Sequence, residues 1–195
     1  MALIKLNNNV ALNSRIPNCG PFPDPRLLRV IWARYFSRPY PSWLKGNSMH
    51  IELRDQCFDP WAEVTAFRDR MLLAGQYGAC AVFVGTMRDY NDGDRVCSMY
   101  LEHYPGMTEK QLESLVSASC KANDLMEALV VHRVGSVSTG EDIVLVAVWS
   151  AHRKASFDAC REIMEALKST APFWKKETLE DQNGERWVHR NTPGS

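Results

Sequence analysis

An amphipathic stretch that ends at a proline is the feature that most restricts how this chain can fold. It lies within residues 150–177. Its apolar side chains recur at steps of three and four: Phe157, Cys160, Met164 and Leu167. This spacing is typical of one buried face of an α-helix. Pro172 then ends the helix, because proline restricts the residue before it and donates no backbone hydrogen bond. The pattern predicts a continuous helix over residues 153–168.

The same stretch carries a row of basic side chains on another face. Lys154, Arg161 and Lys168 are seven residues apart, and each step of seven drifts only about 20° around a helix, so they form one stripe. Lys175 and Lys176 follow beyond the turn. From spacing alone, this is an ordinary amphipathic helix with a solvated basic edge. The pattern predicts structure without assigning a function.

The charge distribution divides the chain into two parts. Residues 1–48 hold seven Lys or Arg and one Asp. Since the whole chain has 23 basic and 23 acidic residues, residues 49–195 carry 16 basic and 22 acidic ones. A globally basic surface for nucleic acid is therefore not expected, although a local anion pocket is compatible with this balance.

The first 48 residues are expected to be a poorly ordered N-terminal extension, followed by one main domain over residues 49–195. Prolines cluster in this extension, at positions 17, 21, 23 and 25. Its Arg-rich, acid-poor composition also permits an organelle-targeting interpretation, but the apolar core of a secretory signal is missing. We expect removal of residues 1–48 to leave activity unaltered.

The cysteines and the hydropathy indicate a cytoplasmic protein without metal or cofactor. Six cysteines are spread along the chain and none has the C-x-x-C spacing of zinc or redox sites. Small buried thiols are typical of a reducing compartment. No apolar run approaches the roughly 20 residues that cross a bilayer, so no membrane contact is predicted.

Further helices and strands are indicated along residues 58–150 and 184–190. Asp59 before Pro60 predicts a helix N-terminus, and Thr108 with Gln111 resembles a capping box that opens a second helix. Four apolar runs rich in β-branched or aromatic residues predict strands: CAVFVGTM, VCSMYLEHY, ALVVHRVG and EDIVLVAVWS. Asn91-Asp92-Gly93 marks the turn between the first two, and SVSTGED links the last two. GERWVHR is a candidate final strand.

Three motifs carry a resemblance to a known family. SAHR, LKSTAPFWKKE and LEHYPGMTE resemble the large, catalytic subunit of molybdopterin synthase, and the likeness extends from about Met49 to about Arg190. The resemblance implies an α+β fold: an α/β hammerhead-like domain with a mixed or antiparallel sheet packed by helices, plus a small β subdomain.

The resemblance also implies a reaction and its partners. The family converts cyclic pyranopterin monophosphate into molybdopterin by installing two dithiolene sulfurs. The sulfur donor is a small ubiquitin-like carrier subunit ending in a Gly-Gly thiocarboxylate. Two large subunits form the central homodimer of a heterotetramer. This sulfurtransferase chemistry requires no metal or cofactor, and no nucleic acid or membrane partner.

By matching motifs, Lys168 and Lys175 are expected to be catalytic. Substrate-binding residues are expected at six further positions: Phe83, Arg88, His152, Arg153, Met164 and Arg190. Arg190 is assigned as the nearest candidate for the arginine that the family uses soon after the RWV motif, and Arg186 is not assigned to the site. Cations suit this chemistry because both the pterin phosphate and the thiocarboxylate are anionic. Lys168 is expected beside the reacting carbon, as a proton-transfer group or electrostatic stabiliser.

Helix length sets a geometric expectation. A rise of about 1.5 Å per residue separates Arg153 from Lys168 by about 22 Å, too far for one small pterin to touch both. We therefore expect each site to combine Lys168 and Lys175 of one chain with His152 and Arg153 of the other.

Two alternatives from other functional classes stay open on the sequence. One is a non-catalytic module that docks a ubiquitin-like protein or a small anion on the basic stripe. The other, a His-dependent acyltransferase, lacks a nucleophile and oxyanion motif near His152. Phe83 and Met164 also fit ordinary core positions.

Overall fold

Three helices and nine strands form the described part of the chain, which in this computed structural model comprises residues 48–72, 76–179 and 184–188. In chain order these are β1 Ser48–Arg54, α1 Pro60–Met71, β2 Ala79–Thr86, β3 Tyr90–Asn91, β4 Asp94–His103, α2 Met107–Ala122, β5 Glu127–Arg133, β6 Gly135–Ser138, β7 Asp142–Ser150, α3 Arg153–Ser169, β8 Phe173–Leu179 and β9 Glu185–Val188. Nearly all of the proposed extension, and Arg190, lie outside the described residues.

A four-stranded mixed sheet in the order β1-β5-β7-β2 forms the centre of the fold. β1 is parallel to β5, whereas β5 and β2 both run antiparallel to β7. β5 and β7 are buried on both faces, because α1 covers one face and α2 with α3 covers the other. This explains why their sequences read as continuous apolar runs.

A second, smaller sheet stands beside the first. Its order is β3-β4-β8-β9, and β6 pairs with β4. It has its own small core of Met87, Val96, Met99, Leu101 and Val137. The predicted α+β fold with a small β subdomain is confirmed. No helix of the described residues is both long and apolar enough to span a membrane.

Two local predictions are confirmed by the backbone. The Asp59 carboxylate accepts hydrogen bonds from the amides of Trp61 and Ala62, at 2.9 and 3.2 Å, and Pro60 is the first residue of α1. The turn between β3 and β4 places Asp92 and Gly93 at φ 49° and 94°. Positive φ at both central positions is what a two-residue hairpin turn of type I′ requires.

The predicted capping box of α2 is wrong. The helix begins at Met107 after Gly106, whose φ of 80° suits glycine, and the Gly106 amide donates to the Glu109 carboxylate at 2.6 Å. Thr108 is buried instead, with its hydroxyl oxygen accepting from the Tyr104 amide at 3.1 Å. The predicted link between β5 and β7 is also not wholly a loop, because the structure has strand β6 within it.

The helix predicted from the basic stripe is confirmed, with one error in its buried face. α3 is continuous from Arg153 to Ser169, and its buried side chains are Ser156, Ala159, Cys160, Ile163, Met164 and Leu167. Phe157 is 66% exposed rather than buried. It lies about 100° around the helix from Ser156, at the edge of the buried arc. The basic stripe borders that same edge.

Candidate functional site

Lys168 lies between two concave surfaces of the described structure. The first, the lysine cavity, has a volume of about 200 Å³ and separates the last turn of α3 from the second sheet. Its polar lining consists of Thr86, Arg88, Tyr90, Asn91, Lys168, Lys175 and Glu177. Three of the predicted site residues, Arg88, Lys168 and Lys175, are therefore brought together by the fold of one chain.

The second surface is an apolar groove of about 290 Å³ between α3 and β2. It is lined by Phe83, Phe157, Cys160, Met164 and Lys168, with other residues of the same two elements. Phe83 is 39% exposed although it lies within a strand. The fold thus places Phe83 and Met164 on one side of Lys168, and Arg88 and Lys175 on the other.

Strand alternation directs the two neighbouring lysines of β8 in opposite directions. Lys175 lies opposite Leu101 of β4 and faces the lysine cavity. Lys176 lies opposite Tyr100 on the other face, where its amine pairs with Glu185 at 2.8 Å. A period of two in a strand makes this division unavoidable. Only Lys175 of this pair can therefore act in the cavity.

The environment of Lys175 destabilises its charged form relative to that of an ordinary lysine. Burial lowers the pKa of its amine, the charge of Lys168 lowers it further, and the carboxylate of Glu177 partly opposes both effects. Desolvation and a like charge each penalise a cationic amine. Lys175 consequently exchanges protons nearer to neutral pH than an ordinary lysine, as a proton-transfer group requires.

Glu177 is a buried carboxylate that the sequence analysis missed. It accepts hydrogen bonds from the Asn91 amide at 2.7 Å and from the Arg186 guanidinium at 2.8 Å. Arg186 also pairs with Asp94 at 2.7 Å, which ties β9 to the β3–β4 hairpin. Position 177 lies two residues after Lys175, so alternation in β8 was the available signal. Both ion pairs of Arg186 therefore lie within the second sheet.

His152 and Arg153 lie at the opposite end of α3 from Lys168. Both are exposed, and neither lines the lysine cavity or the apolar groove. His152 occupies the N-cap position in an extended conformation, and its carbonyl accepts from the Ser150 hydroxyl at 2.8 Å. The helix is continuous, so about 22 Å of axial rise separates Arg153 from Lys168. One chain does not bring these two groups together.

Gly78 fixes where the chain enters α3. Its amide donates to the Ser150 carbonyl at 3.1 Å, and a Cβ at this position would lie 2.3 Å from the carbonyl oxygen of Ala151. That separation is far below van der Waals contact, and the obstacle is backbone. The absence of a side chain at residue 78 therefore sets the path of the segment before His152.

Metal ligation is not supported within the part of the chain described here. No group of three or more His, Cys, Asp or Glu residues among residues 48–72, 76–179 and 184–188 is placed to hold a metal ion. The cavity instead gathers cations, which suits an anionic ligand.

Known proteins share this chain's sequence and fold. The MoaE protein family matches residues 54–170, more than half of the chain. A molybdopterin synthase catalytic subunit from Ralstonia nicotianae is 52% identical over 140 residues, which are 71% of this chain and 76% of that protein. The subunit of that name from Haemophilus influenzae is 52% identical over 142 residues, 73% of this chain and 91% of that protein. A molybdopterin biosynthesis MoaE protein from Burkholderia ambifaria superposes with a TM-score of 0.61 at 42% identity, covering 75% of this chain and 93% of that one.

Proposed function

Since this chain belongs to the MoaE protein family, we propose that it is a sulfurtransferase, the catalytic subunit of a molybdopterin synthase, and that its lysine cavity is the active site. It converts cyclic pyranopterin monophosphate into molybdopterin with sulfur from a small ubiquitin-like carrier subunit. The convergence of Arg88, Lys168 and Lys175 in one cavity is the observation that supports this assignment most directly.

The lysine cavity is suited to the pterin monophosphate. Arg88 is exposed at its rim, where a guanidinium can form paired hydrogen bonds with phosphate oxygens. Tyr90 offers an exposed aromatic side chain beside it. The reacting carbon of the substrate would then lie deeper, near the two lysines.

The apolar groove is suited to the tail of the sulfur carrier. A Gly-Gly terminus has no side chains, so it can lie in the groove between α3 and β2. Phe83 and Phe157 are exposed along the groove, which offers apolar area to a partner protein. The groove reaches Lys168, whose cationic amine would attract the terminal thiocarboxylate.

The two lysines take different parts in sulfur transfer. Lys168 borders both surfaces, so it is placed to stabilise the anionic sulfur as it approaches the substrate carbon. Lys175 borders only the lysine cavity, and its lowered pKa suits proton exchange with the oxygen that leaves that carbon. His152 and Arg153 act in the site of a second copy, within a homodimer at the centre of a heterotetramer.

Reconstitution tests this assignment against the non-catalytic alternative. Purified protein is incubated with thiocarboxylated small subunit and cyclic pyranopterin monophosphate, and dithiolene product is measured. The control is the same small subunit ending in an ordinary carboxylate. Product that depends on the thiocarboxylate supports the enzyme, whereas binding of both partners without product supports a docking module. The described residues hold five cysteines that form no disulfide with one another, which fits the reducing cytoplasm that we propose as the location of the protein.

A further inference from the structure

The turn between α3 and β8 is held from outside at both of its ends. At the helix end, the Gln111 side-chain amide of α2 donates to the Thr170 carbonyl at 2.8 Å. At the strand end, the imidazole of His132 in β5 stacks on the ring of Phe173, with centroids 4.1 Å apart and planes within 7°. Thr170 lies two residues after Lys168, and Phe173 lies two residues before Lys175. Each anchor is therefore next to one lysine.

The turn is closed partly by its own backbone, where the Phe173 amide also donates to the Ala171 carbonyl at 2.8 Å. Thr170 and Ala171 both donate to the Ala166 carbonyl, at 2.8 and 3.2 Å, and Thr170 has no left-handed conformation to close the helix. Helix ends leave carbonyl groups without intrahelical partners. Gln111 satisfies one of these, at Thr170 itself. The chain leaving α3 is thus held both by its own backbone hydrogen bonds and by a side chain from another helix.

His132 is built to be a neutral anchor. It is buried, and its Nδ1 lies 2.7 Å from the Arg133 carbonyl oxygen. A carbonyl oxygen only accepts, so Nδ1 carries the proton and Nε2 does not. Burial lowers the pKa of this imidazole to about 4, and the nearby charge of Lys175 acts in the same direction. A neutral flat ring can stack on Phe173 without adding a charge beside the cavity.

We propose that His132 and Gln111 are positioning residues that hold Lys168 and Lys175 in one cavity. This inference rests on the proposed function, because it gives the pair of lysines a joint task. His132 links the first sheet to the start of β8, and Gln111 links α2 to the end of α3. Loss of either anchor lets the turn relax, so that Lys175 becomes better hydrated and moves away from Lys168.

The charged and titratable groups around Lys175 define what a titration would report. Lys168 faces it from α3, and Glu177 lies on the same strand. Arg88 lines the same cavity from the segment after β2. His132 approaches from β5, and His103 of β4, which acts electrostatically on His132, lies opposite Phe173 in the register. Arg186 already pairs with Glu177, so it does not add an isolated charge.

The test compares His132→Ala with His132→Phe, which keeps a flat stacking ring. The first readout is the pKa of the Lys175 amine, which is measured by NMR titration of the whole chain without substrate. The second is kcat and KM in the reconstituted reaction. The matched control is Val131→Ala, because Val131 is buried in the same strand but packs on the opposite face, toward α1.

We expect His132→Ala to raise the pKa of Lys175 and to lower kcat about 10- to 100-fold with little change in KM, since misplacement by about 1 Å costs that much. His132→Phe should retain the wild-type pKa of Lys175 and the wild-type kcat, and Val131→Ala should change neither quantity. Unchanged values in His132→Ala, or the same change in Val131→Ala, would overturn the proposal.

Gln111→Leu keeps the test decisive if His132→Ala does not fold. Gln111 is a partly exposed helix residue, so this change removes the hydrogen bond to Thr170 without opening the core. It should raise the pKa of Lys175 in the same direction, and an unchanged pKa would contradict the inference. The titration needs no turnover. A chain that makes no dithiolene but still shows these shifts would refute the proposed function and retain the positioning role.

Discussion

Lys168 and Lys175 line the same cavity, although Lys168 lies in the last turn of a helix and Lys175 within the following strand. The charge of Lys168 contributes to lowering the pKa of Lys175, which places the two amines within electrostatic reach. Two like charges in one cavity oppose each other, so the arrangement costs stability unless one amine is neutral or an anion binds. The pair is therefore suited to an anionic substrate.

Lys168→Ala is expected to lower dithiolene formation at least about 100-fold, as loss of a preorganised electrostatic group does. Because Lys168 is exposed, its truncation should change the free energy of unfolding by no more than about 0.5 kcal/mol. Binding of the small subunit should persist. Lys121→Ala, an exposed lysine in the last turn of α2, is the control. Near-normal product from Lys168→Ala would remove this residue from the mechanism.

Lys168→Met is expected to raise the pKa of Lys175, because it removes a positive charge that disfavours the ammonium form. The pKa should remain below that of an ordinary lysine, since burial is the larger cause and persists. Glu177→Gln should shift it the other way, by removing the carboxylate that favours the charged form. NMR titration of the Lys175 amine measures both shifts. A rise in both variants, or in neither, would show that another group controls this lysine.

Mixing Lys168→Ala and Arg153→Ala proteins is expected to restore part of the activity. Arg153→Ala alone should weaken pterin binding. If each site combines both ends of α3 from different chains, a heterodimer has one site with both lesions and one with neither. Subunit exchange followed by the product assay measures this recovery. Heterodimers that form without any activity would exclude the shared site, and the residues would then serve separate steps within one chain.

His132 is expected to make stability depend on pH between 6.5 and 4. Its pKa falls from 6.5 to about 4 on folding, so in this range the unfolded chain binds a proton that the folded chain does not. The contribution is complete above pH 6.5 and is lost as the pH falls toward 4, by about 3 kcal/mol in total. His132→Phe should lack this dependence. Urea unfolding at pH 7 and pH 4.5 measures the difference, and parallel curves for both proteins would contradict it.

The sequence predicted the elements that local pattern controls. Helix α3, the cap at Asp59 and the hairpin turn at Asn91-Asp92-Gly93 all follow from spacing or from backbone preferences of nearby residues. The family resemblance then singled out Lys168, Lys175 and Arg88, which the fold brings together. Their roles remain predictions until variants are measured.

Long-range contacts account for what the sequence analysis missed. Asn91 and Glu177 are 86 residues apart and meet only because β8 pairs with β4 behind the hairpin. Gln111 was assigned to a cap on its own helix, yet it bonds to Thr170, 59 residues later. Phe157 fits a helical apolar face, but the arc that α3 buries against β2 and β7 ends just short of it. The apolar periodicity of a helix predicts which face is buried, but it does not predict how wide that buried face is.

The missing side chain at residue 78 has a consequence for how this chain and its relatives can diverge. The backbone of Ala151 fills the space that any Cβ would need, so even an alanine requires the segment before α3 to be rebuilt. Such a change would displace His152 and Arg153 without touching either lysine. Residue 78 should therefore vary only together with the length or path of that segment. A glycine at this position should mark the relatives in which the chain enters the helix along the same path.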